Sequence, residues 1–129
     1  MKYSVILFSA FILFFVFGIS HKTTFSQAKN GDDITITGEV VDANCYMQDG
    51  MDATGSGHKD CAVTCAKAGS PLAILTKDGT LYYPIAGMGK NPNDQLMDYI
   101  ADQVTVSGKY YSQGNSNMGI KIHSVKKVE

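Results

Sequence analysis

The segment ITITGEVV, Ile34–Val41, has the pattern of a β-strand. Apolar and polar residues alternate along it with a period of two, which is typical of a strand with one buried face. Ile34, Ile36 and Val40 fall on one face of this strand. Gly38 interrupts that face, and a glycine inside a strand is typical of a bulge or a bend. The segment therefore predicts a half-buried strand with a kink near its middle.

The same pattern occurs a second time, in VTVSGKYY at Val104–Tyr111. Both segments contain two pairs in which a β-branched residue precedes Thr or Ser, followed by a glycine, a charged residue and two strand-forming residues. The segments are too short for the repeat of a solenoid. Two strands with the same kink are, however, what a small closed barrel needs at its corners.

Turn residues and short apolar runs divide the rest of the chain into further elements. Lys77-Asp78-Gly79 separates two apolar runs, and Asp-Gly at such a place predicts a β-hairpin. Asn91-Pro92 is typical of a helix start. The sequence predicts a loop at 43–57, a helix at 58–68 that ends before Gly69 and Pro71, strands at 72–76 and 80–85, a helix at 92–101 and a last strand at 120–128.

This order of elements resembles that of the OB-fold, a five-stranded Greek-key barrel with a helix between its third and fourth strands. More narrowly, the chain resembles small exported bacterial OB-fold proteins. The resemblance rests on the 34–42 strand, the 72–85 hairpin, the 92–101 helix and the 104–128 hairpin.

The resemblance implies a mostly β domain at 29–129, built as a small five-stranded OB-like Greek-key barrel with two short helices. Another small all-β sandwich or an SH3-like barrel is the alternative. An ordinary OB-fold has no segment like 43–70, a Cys/His-bearing insertion between strands one and two that contains one of the helices. We therefore expect the function to lie in this insertion.

Residues 1–28 differ in composition from the rest of the chain. All six phenylalanines lie here, and the 17 residues Tyr3–Ile19 carry no charge. A positive Lys2, this apolar run and the small residues around Ala28 predict a signal peptide that is cleaved after Ala28. The alternative is an uncleaved membrane anchor, since the run is at the lower limit of a spanning helix. In either case we expect the remaining domain to be exported, to the periplasm or the extracellular space.

The charge of the chain argues against several classes of ligand. All 11 basic residues are lysines, and because Lys2 and Lys22 lie in the export segment, residues 29–129 carry nine lysines against all 12 acidic residues. A negatively charged domain without arginine is a poor binder of nucleic acid or anionic lipid. Residues 29–129 also contain no Phe and no Trp. The core is therefore thin, and a disulfide or a metal ion would help the domain to fold.

Three cysteines and one histidine lie close together in the insertion. Their spacing is Cys45-x15-Cys61-x3-Cys65, and His58 precedes Cys61 by three positions. At about 100° per residue, a helix over 58–68 places His58, Cys61 and Cys65 within an arc of about 60°. Cys45 follows strand one and can fold back over that face. Three thiolates and an imidazole are a donor set of tetrahedral Zn²⁺ sites, so we predict a metal site at Cys45, His58, Cys61 and Cys65.

Copper is the competing metal ion. Met47 and Met51 lie in the same insertion, and soft thioether and thiolate donors favour Cu(I). The alternative role of both methionines is to fill gaps where the insertion packs on the barrel. Covalent haem attachment needs Cys-x-x-Cys-His, and the spacing does not favour an iron–sulfur cluster. The sequence thus predicts one Zn or Cu ion per chain, in a module that is accessory to a redox or respiratory system if the ion is copper.

Two interpretations without a metal ion stay open. A disulfide between Cys45 and either Cys61 or Cys65 leaves one free thiol. The protein is then a disulfide-linked interaction domain or accessory subunit, whose contact surface is formed by the tyrosines at 82, 83, 110 and 111. A thiol-redox role is less favoured, because the chain has no Cys-x-x-Cys motif and no thioredoxin-like βαβ pattern.

The remaining expectations concern activity and partners. His123 is expected to be a solvated strand residue. No catalytic constellation can be read from the sequence, so we do not expect an enzyme. The expected partner is another protein, and a membrane only if residues 1–28 stay attached.

Overall fold

The computed structural model describes residues 27–112, 114 and 118–129. The predicted signal peptide or anchor at 1–28 lies outside these residues, apart from its last two positions. The described chain contains five strands, which are β1 (Asp33–Asp42), β2 (Leu72–Thr76), β3 (Leu81–Pro84), β4 (Gln103–Ser112) and β5 (Met118–Lys127). It also contains two α-helices, α1 (Ala43–Asp49) and α2 (Lys59–Lys67), and 3₁₀ turns at Gly50–Ala53, Ser56–His58, Pro92–Gln95 and Met97–Tyr99.

The five strands form one mixed sheet that closes in a ring. Their order is β1-β2-β3-β5-β4, and β4 pairs with β1 again. β3 and β5 are parallel, whereas the other neighbouring strands are antiparallel. The predicted hairpin around 77–79 joins β2 to β3. The prediction of a mostly β fold with five strands is therefore confirmed.

The two repeated segments pair with each other. Ile34 of β1 lies opposite Gly108 of β4, and Gly38 lies opposite Val104. A side chain at either glycine would collide with a backbone carbonyl of the next strand, which is β2 for Gly38 and β5 for Gly108. Near Gly38, β1 passes from its pairing with β4 to its pairing with β2, and the register between β4 and β5 shifts next to Gly108. Both glycines thus lie where the strand pairing changes and another backbone comes close, and the predicted irregularity is observed next to Gly108.

The core is one cluster of aliphatic side chains. Strands β1, β2, β4 and β5 contribute to it, together with the segment between β3 and β4. α2 adds Ala62 and Ala66, so the insertion packs directly on the core. The larger buried members of the cluster are Val40, Leu72, Ile74, Leu96, Ile100, Val104, Val106 and Ile120.

The segment 92–101, for which the sequence predicts a helix, forms two 3₁₀ turns instead. Asn91 caps the first turn as predicted, since its side chain accepts a hydrogen bond from a backbone N–H of that turn. An α-helix does not form because Ile100 is drawn into a parallel bridge with Val40 of β1. Ala101 then adopts a positive φ of 64° and donates its N–H to the carbonyl of Val40. Pairing with the sheet has overridden the local helical preference.

The segment 43–57, for which the sequence predicts a loop, contains α1 and a complete 3₁₀ turn. Asp42 caps α1, because its Oδ1 atom accepts a hydrogen bond from the N–H of Cys45 at 2.9 Å. Gly, Asp and Asn are weak helix formers, so the composition of the segment conceals a helix of only seven residues. The second helix, α2, agrees with the one predicted at 58–68.

Both ends of the insertion are held at one place on the sheet. Buried Asn93 donates its side-chain N–H to the carbonyl of Ser70 at 2.7 Å and accepts the N–H of Leu72 at 2.9 Å. At the other end, the N–H of Ala43 donates to the carbonyl of Pro71 at 2.9 Å. The chain therefore leaves and re-enters the sheet side by side, which keeps α1 near α2.

Candidate metal centre

α2 directs alanines to the core and carries two cysteines beside them. Cys61 and Cys65 are four positions apart, so they lie one turn apart on the same face of the helix. The neighbouring Ala62 and Ala66 are buried in the core. Cys61 is exposed and Cys65 is half-buried. The two thiols therefore lie at the boundary between the packed side of α2 and solvent.

Cys45 of α1 completes a cluster of three thiols. The sulfur atoms of Cys45, Cys61 and Cys65 all lie within 4.8 Å of one another, and no disulfide joins these three residues. In a tetrahedral zinc site with Zn–S bonds of about 2.3 Å, neighbouring sulfurs are about 3.8 Å apart. Three of the four predicted donors are thus together at a spacing that a metal ion can close with small side-chain movements.

Burial and neighbouring groups raise the pKa of the thiols of Cys45 and Cys61. Burial raises the pKa of Cys45 to about 12, and the neighbouring carboxylate of Asp42 and then Cys65 are the next causes in importance. Desolvation also raises the pKa of Cys61, followed by the charge of Cys65. A catalytic thiol has a lowered pKa, so these directions do not favour a redox nucleophile. A bound cation would instead lower the pKa of the thiols, because it stabilises their thiolate form.

His58 ends the 3₁₀ turn that precedes α2. Its side chain does not cap the helix, and its Nε2 atom is buried without a hydrogen-bond partner. Among the described residues, the group of donor atoms that lie within 4.8 Å of one another consists of the three sulfurs and does not include His58. The histidine thus brings an unsatisfied nitrogen to the start of α2, and its role as the fourth ligand stays a prediction.

Asp42 is a further candidate, which the sequence analysis did not single out. Its side chain is completely buried. One carboxylate oxygen caps α1, whereas the other, Oδ2, has no hydrogen-bond partner. In the part of the chain that the structure describes, Asp42 Oδ2 and His58 Nε2 are the buried side-chain polar atoms without a partner. The signal in the sequence is an aspartate three positions before Cys45, which is typical of a helix N-cap.

Both methionines of the insertion lie on its outer surface. Met47 is 63 % exposed and Met51 is 70 % exposed. Met47 is two positions from Cys45 on α1, and residues two apart do not face each other on a helix. Met51 and Tyr46 line a groove of about 760 Å³ beside β1 and the β2–β3 turn, whose described lining contains no cysteine. The thioethers are accessible from solvent, and their part in a copper site stays a prediction.

The other candidate residues lie on the sheet. His123 of β5 is exposed, as expected for a solvated strand residue. Tyr110 is buried and donates its hydroxyl hydrogen to the Sδ atom of Met118 at 2.9 Å. Tyr82 and Tyr83 of β3 are half-buried. Packing between strands therefore uses part of the tyrosine surface that an interaction domain would offer.

In the described part of the chain, none of the helices combines the length and the apolar character that crossing a membrane requires.

No protein-family model, no curated protein and no solved structure matches the chain. The cysteine cluster, with the two unsatisfied polar atoms of Asp42 and His58, is the feature from which a function can be inferred.

Proposed function

We propose that this protein is an exported module that binds one metal ion through Cys45, Cys61 and Cys65. The observation that carries the proposal is that the three sulfurs lie within 4.8 Å of one another although they come from two helices. A single disulfide needs only two of these thiols, whereas soft and borderline metal ions are held by several thiolates at once.

A structural Zn²⁺ ion is the use that fits the fold best. The ion ties α1 to α2 and fastens the insertion to a domain that contains no Phe or Trp in residues 29–129. Structural zinc contributes directly to the free energy of folding, and small domains use it where a hydrophobic core is thin. Such a site has four ligands, and His58 is the fourth ligand that the sequence predicts.

Copper is the second candidate, and the exposure of the soft donors favours it. Cys61 reaches solvent, and so do the thioethers of Met47 and Met51. Soft donors at a surface suit an ion that is handed on, whereas a closed structural site retains its ion. With copper, the protein carries or delivers the ion to a redox or respiratory protein, which is then its partner.

We further propose that the ring of strands is an OB-like Greek-key barrel and that the domain is exported. The strand order β1-β2-β3-β5-β4, with its single parallel pair, supports the barrel. The charge and apolar pattern of residues 1–28 supports export. Free thiols are usually oxidised outside the cytoplasm. A bound metal ion protects the three thiolates from this oxidation.

Serine substitution at each cysteine tests metal binding. We expect Cys45→Ser, Cys61→Ser and Cys65→Ser each to weaken zinc binding by more than about 100-fold, since even the loss of an outer hydrogen-bonding partner costs about 10- to 100-fold. Affinity is measured by competition with a chromophoric chelator, on protein isolated from the periplasm and kept reduced. Thr64→Ser on α2 is the matched control and should bind zinc as the wild type does.

A disulfide-linked interaction domain gives a different pattern. The wild type then takes up no metal, and one of the three serine substitutions leaves the remaining disulfide and the stability intact. That pattern would contradict the metal-binding proposal.

A further inference from the structure

Asp42 has a buried carboxylate that is only half used. Its side chain is 0 % exposed. Oδ1 accepts the N–H of Cys45 at 2.9 Å and so caps α1, while Oδ2 has no hydrogen-bond partner. Buried polar atoms are almost always satisfied, so an unpartnered oxygen at full burial points to a group that is bound there.

Helix capping alone does not explain an aspartate at this position. Ser, Thr or Asn would cap α1 equally well and would bury no charge. An ionised carboxylate inside a protein needs a cation. The ion pairs among the described residues are Lys109–Asp33 and Lys127–Asp102, and neither involves Asp42.

The carboxylate of Asp42 lies next to one residue of the cysteine cluster. Its Oδ1 atom accepts the backbone N–H of Cys45 at 2.9 Å, and after burial its charge contributes to the raised pKa of the Cys45 and Cys61 thiols. Neither a carboxylate oxygen of Asp42 nor a ring nitrogen of His58 lies within 4.8 Å of all three sulfurs. Of the two, Asp42 is the residue whose side chain is hydrogen-bonded to a cysteine of the cluster, and its place as the N-cap of α1 keeps it beside Cys45.

Resting on the proposed function, we propose that Oδ2 of Asp42, rather than His58, supplies the fourth donor to the metal ion. The set of three thiolates and one carboxylate then carries four negative charges. Zn²⁺ reduces this charge to −2, whereas Cu(I) leaves −3. A carboxylate is also a ligand that Zn²⁺ accepts and that soft Cu(I) does not favour. Asp42 therefore makes the cluster a site for a divalent ion, with zinc bound in preference to Cu(I).

The test compares three variants of the full chain as isolated after export and kept reduced. Asp42→Asn removes the charge but keeps an oxygen that can cap α1. His58→Gln removes the competing donor. Asp49→Asn, at the exposed far end of α1, removes the same charge as Asp42→Asn and is the control. Zinc and Cu(I) affinities are measured separately by chelator competition, and Co²⁺ replaces zinc for visible spectroscopy.

We expect Asp42→Asn to lose at least about 10- to 100-fold in zinc affinity while its Cu(I) affinity stays equal or rises. The thiolate-to-cobalt absorption persists in this variant, but the ligand-field bands shift. His58→Gln and Asp49→Asn bind both metals as the wild type does. If Asp42→Asn keeps the zinc affinity and cobalt spectrum of the wild type, or if His58→Gln loses zinc instead, the assignment of Asp42 is overturned and the metal-binding function stands.

Failure of the proposed function gives a different result, because the wild type then binds none of the three ions. Should Asp42→Asn not fold, Asp42→Ser provides a second cap without a carboxylate. X-ray absorption at the zinc edge of the wild type needs no variant. Three sulfurs and one oxygen without imidazole scattering support Asp42, and imidazole scattering overturns it.

Discussion

The Oδ1 atom of Asn93 accepts a hydrogen bond from the backbone N–H of Leu72 at 2.9 Å, across 21 positions of the chain. Asn93 is only 5 % exposed, and its side-chain N–H also donates to the carbonyl of Ser70. One amide thus satisfies both a donor and an acceptor at the point where the insertion rejoins the sheet. The contact therefore holds the segment that connects α2 to β2.

Asn93→Ala should therefore lower the free energy of unfolding by about 2–4 kcal/mol, because one buried and one partly buried backbone group lose their partners. Urea unfolding followed by circular dichroism measures the effect. Asn44→Ala is the control, since this exposed amide only bonds the hydroxyl of Ser70, and it should cost less than about 1 kcal/mol. Equal losses in the two variants would contradict the role of Asn93.

Gly38→Ala and Gly108→Ala should each destabilise the protein by about 1–3 kcal/mol, because the new methyl group meets a backbone carbonyl that cannot move freely. Gly87→Ala is the matched control, since a methyl group there meets nothing within 4 Å. Thermal unfolding of the three variants gives the comparison. If Gly38→Ala and Gly108→Ala unfold at the same temperature as Gly87→Ala, the result contradicts the close approach of the strands at these two glycines.

Much of the sheet could be predicted because its signals are local. Apolar and polar residues alternate with a period of two in Ile34–Val41. The two residues Asp78-Gly79 are enough to predict a hairpin turn. The convergence of Cys61 and Cys65 follows in the same way from helical spacing. Each of these features needs only a few neighbouring residues.

The features that sequence analysis missed depend on contacts between distant residues. The segment 92–101 has a good helix start, but its end is decided by the pairing of Ile100 with Val40, 60 positions away along the chain. For Asp42, the local sequence indicates only a helix N-cap. Its complete burial and its unpartnered Oδ2 atom result from packing between distant segments, which no local pattern records.

The β2–β3 turn should contribute a pH-dependent stability through Asp78. Hydrogen bonds from Thr76 and Thr80 hold the pKa of Asp78 below its usual value. The folded state therefore binds this proton more weakly than the unfolded state does, so the contribution is present at neutral pH and is lost as the pH falls through the folded pKa. Because Asp78 is exposed, the effect is small.

Asp78→Asn tests this contribution when its urea midpoint is compared with that of the wild type between about pH 7 and pH 2. The difference between the two proteins should be largest near neutral pH and should vanish at the acid end. Asp98→Asn, at an exposed carboxylate, is the control. A difference that stays constant or grows towards low pH would contradict the lowered pKa.

Zinc should raise the unfolding temperature of the reduced protein. An ion that binds only the folded state adds about 2.7 kcal/mol of stability at a free concentration 100 times its dissociation constant. Differential scanning calorimetry with and without zinc measures the shift, which a chelator should reverse. The shift should be absent in Cys61→Ser, and an equal shift in that variant would mean that zinc binds elsewhere.

Metal content tests the central claim most directly. Elemental mass spectrometry is applied to the protein isolated from the periplasm without chelator, and free thiols are counted on the same sample after denaturation. A metal site of three thiolates completed by Asp42 predicts about one zinc ion per chain and three free thiols. One copper ion per chain would keep the metal site but contradict the selectivity assigned to Asp42. No metal, with two cysteines joined in a disulfide and one free, would contradict metal binding altogether.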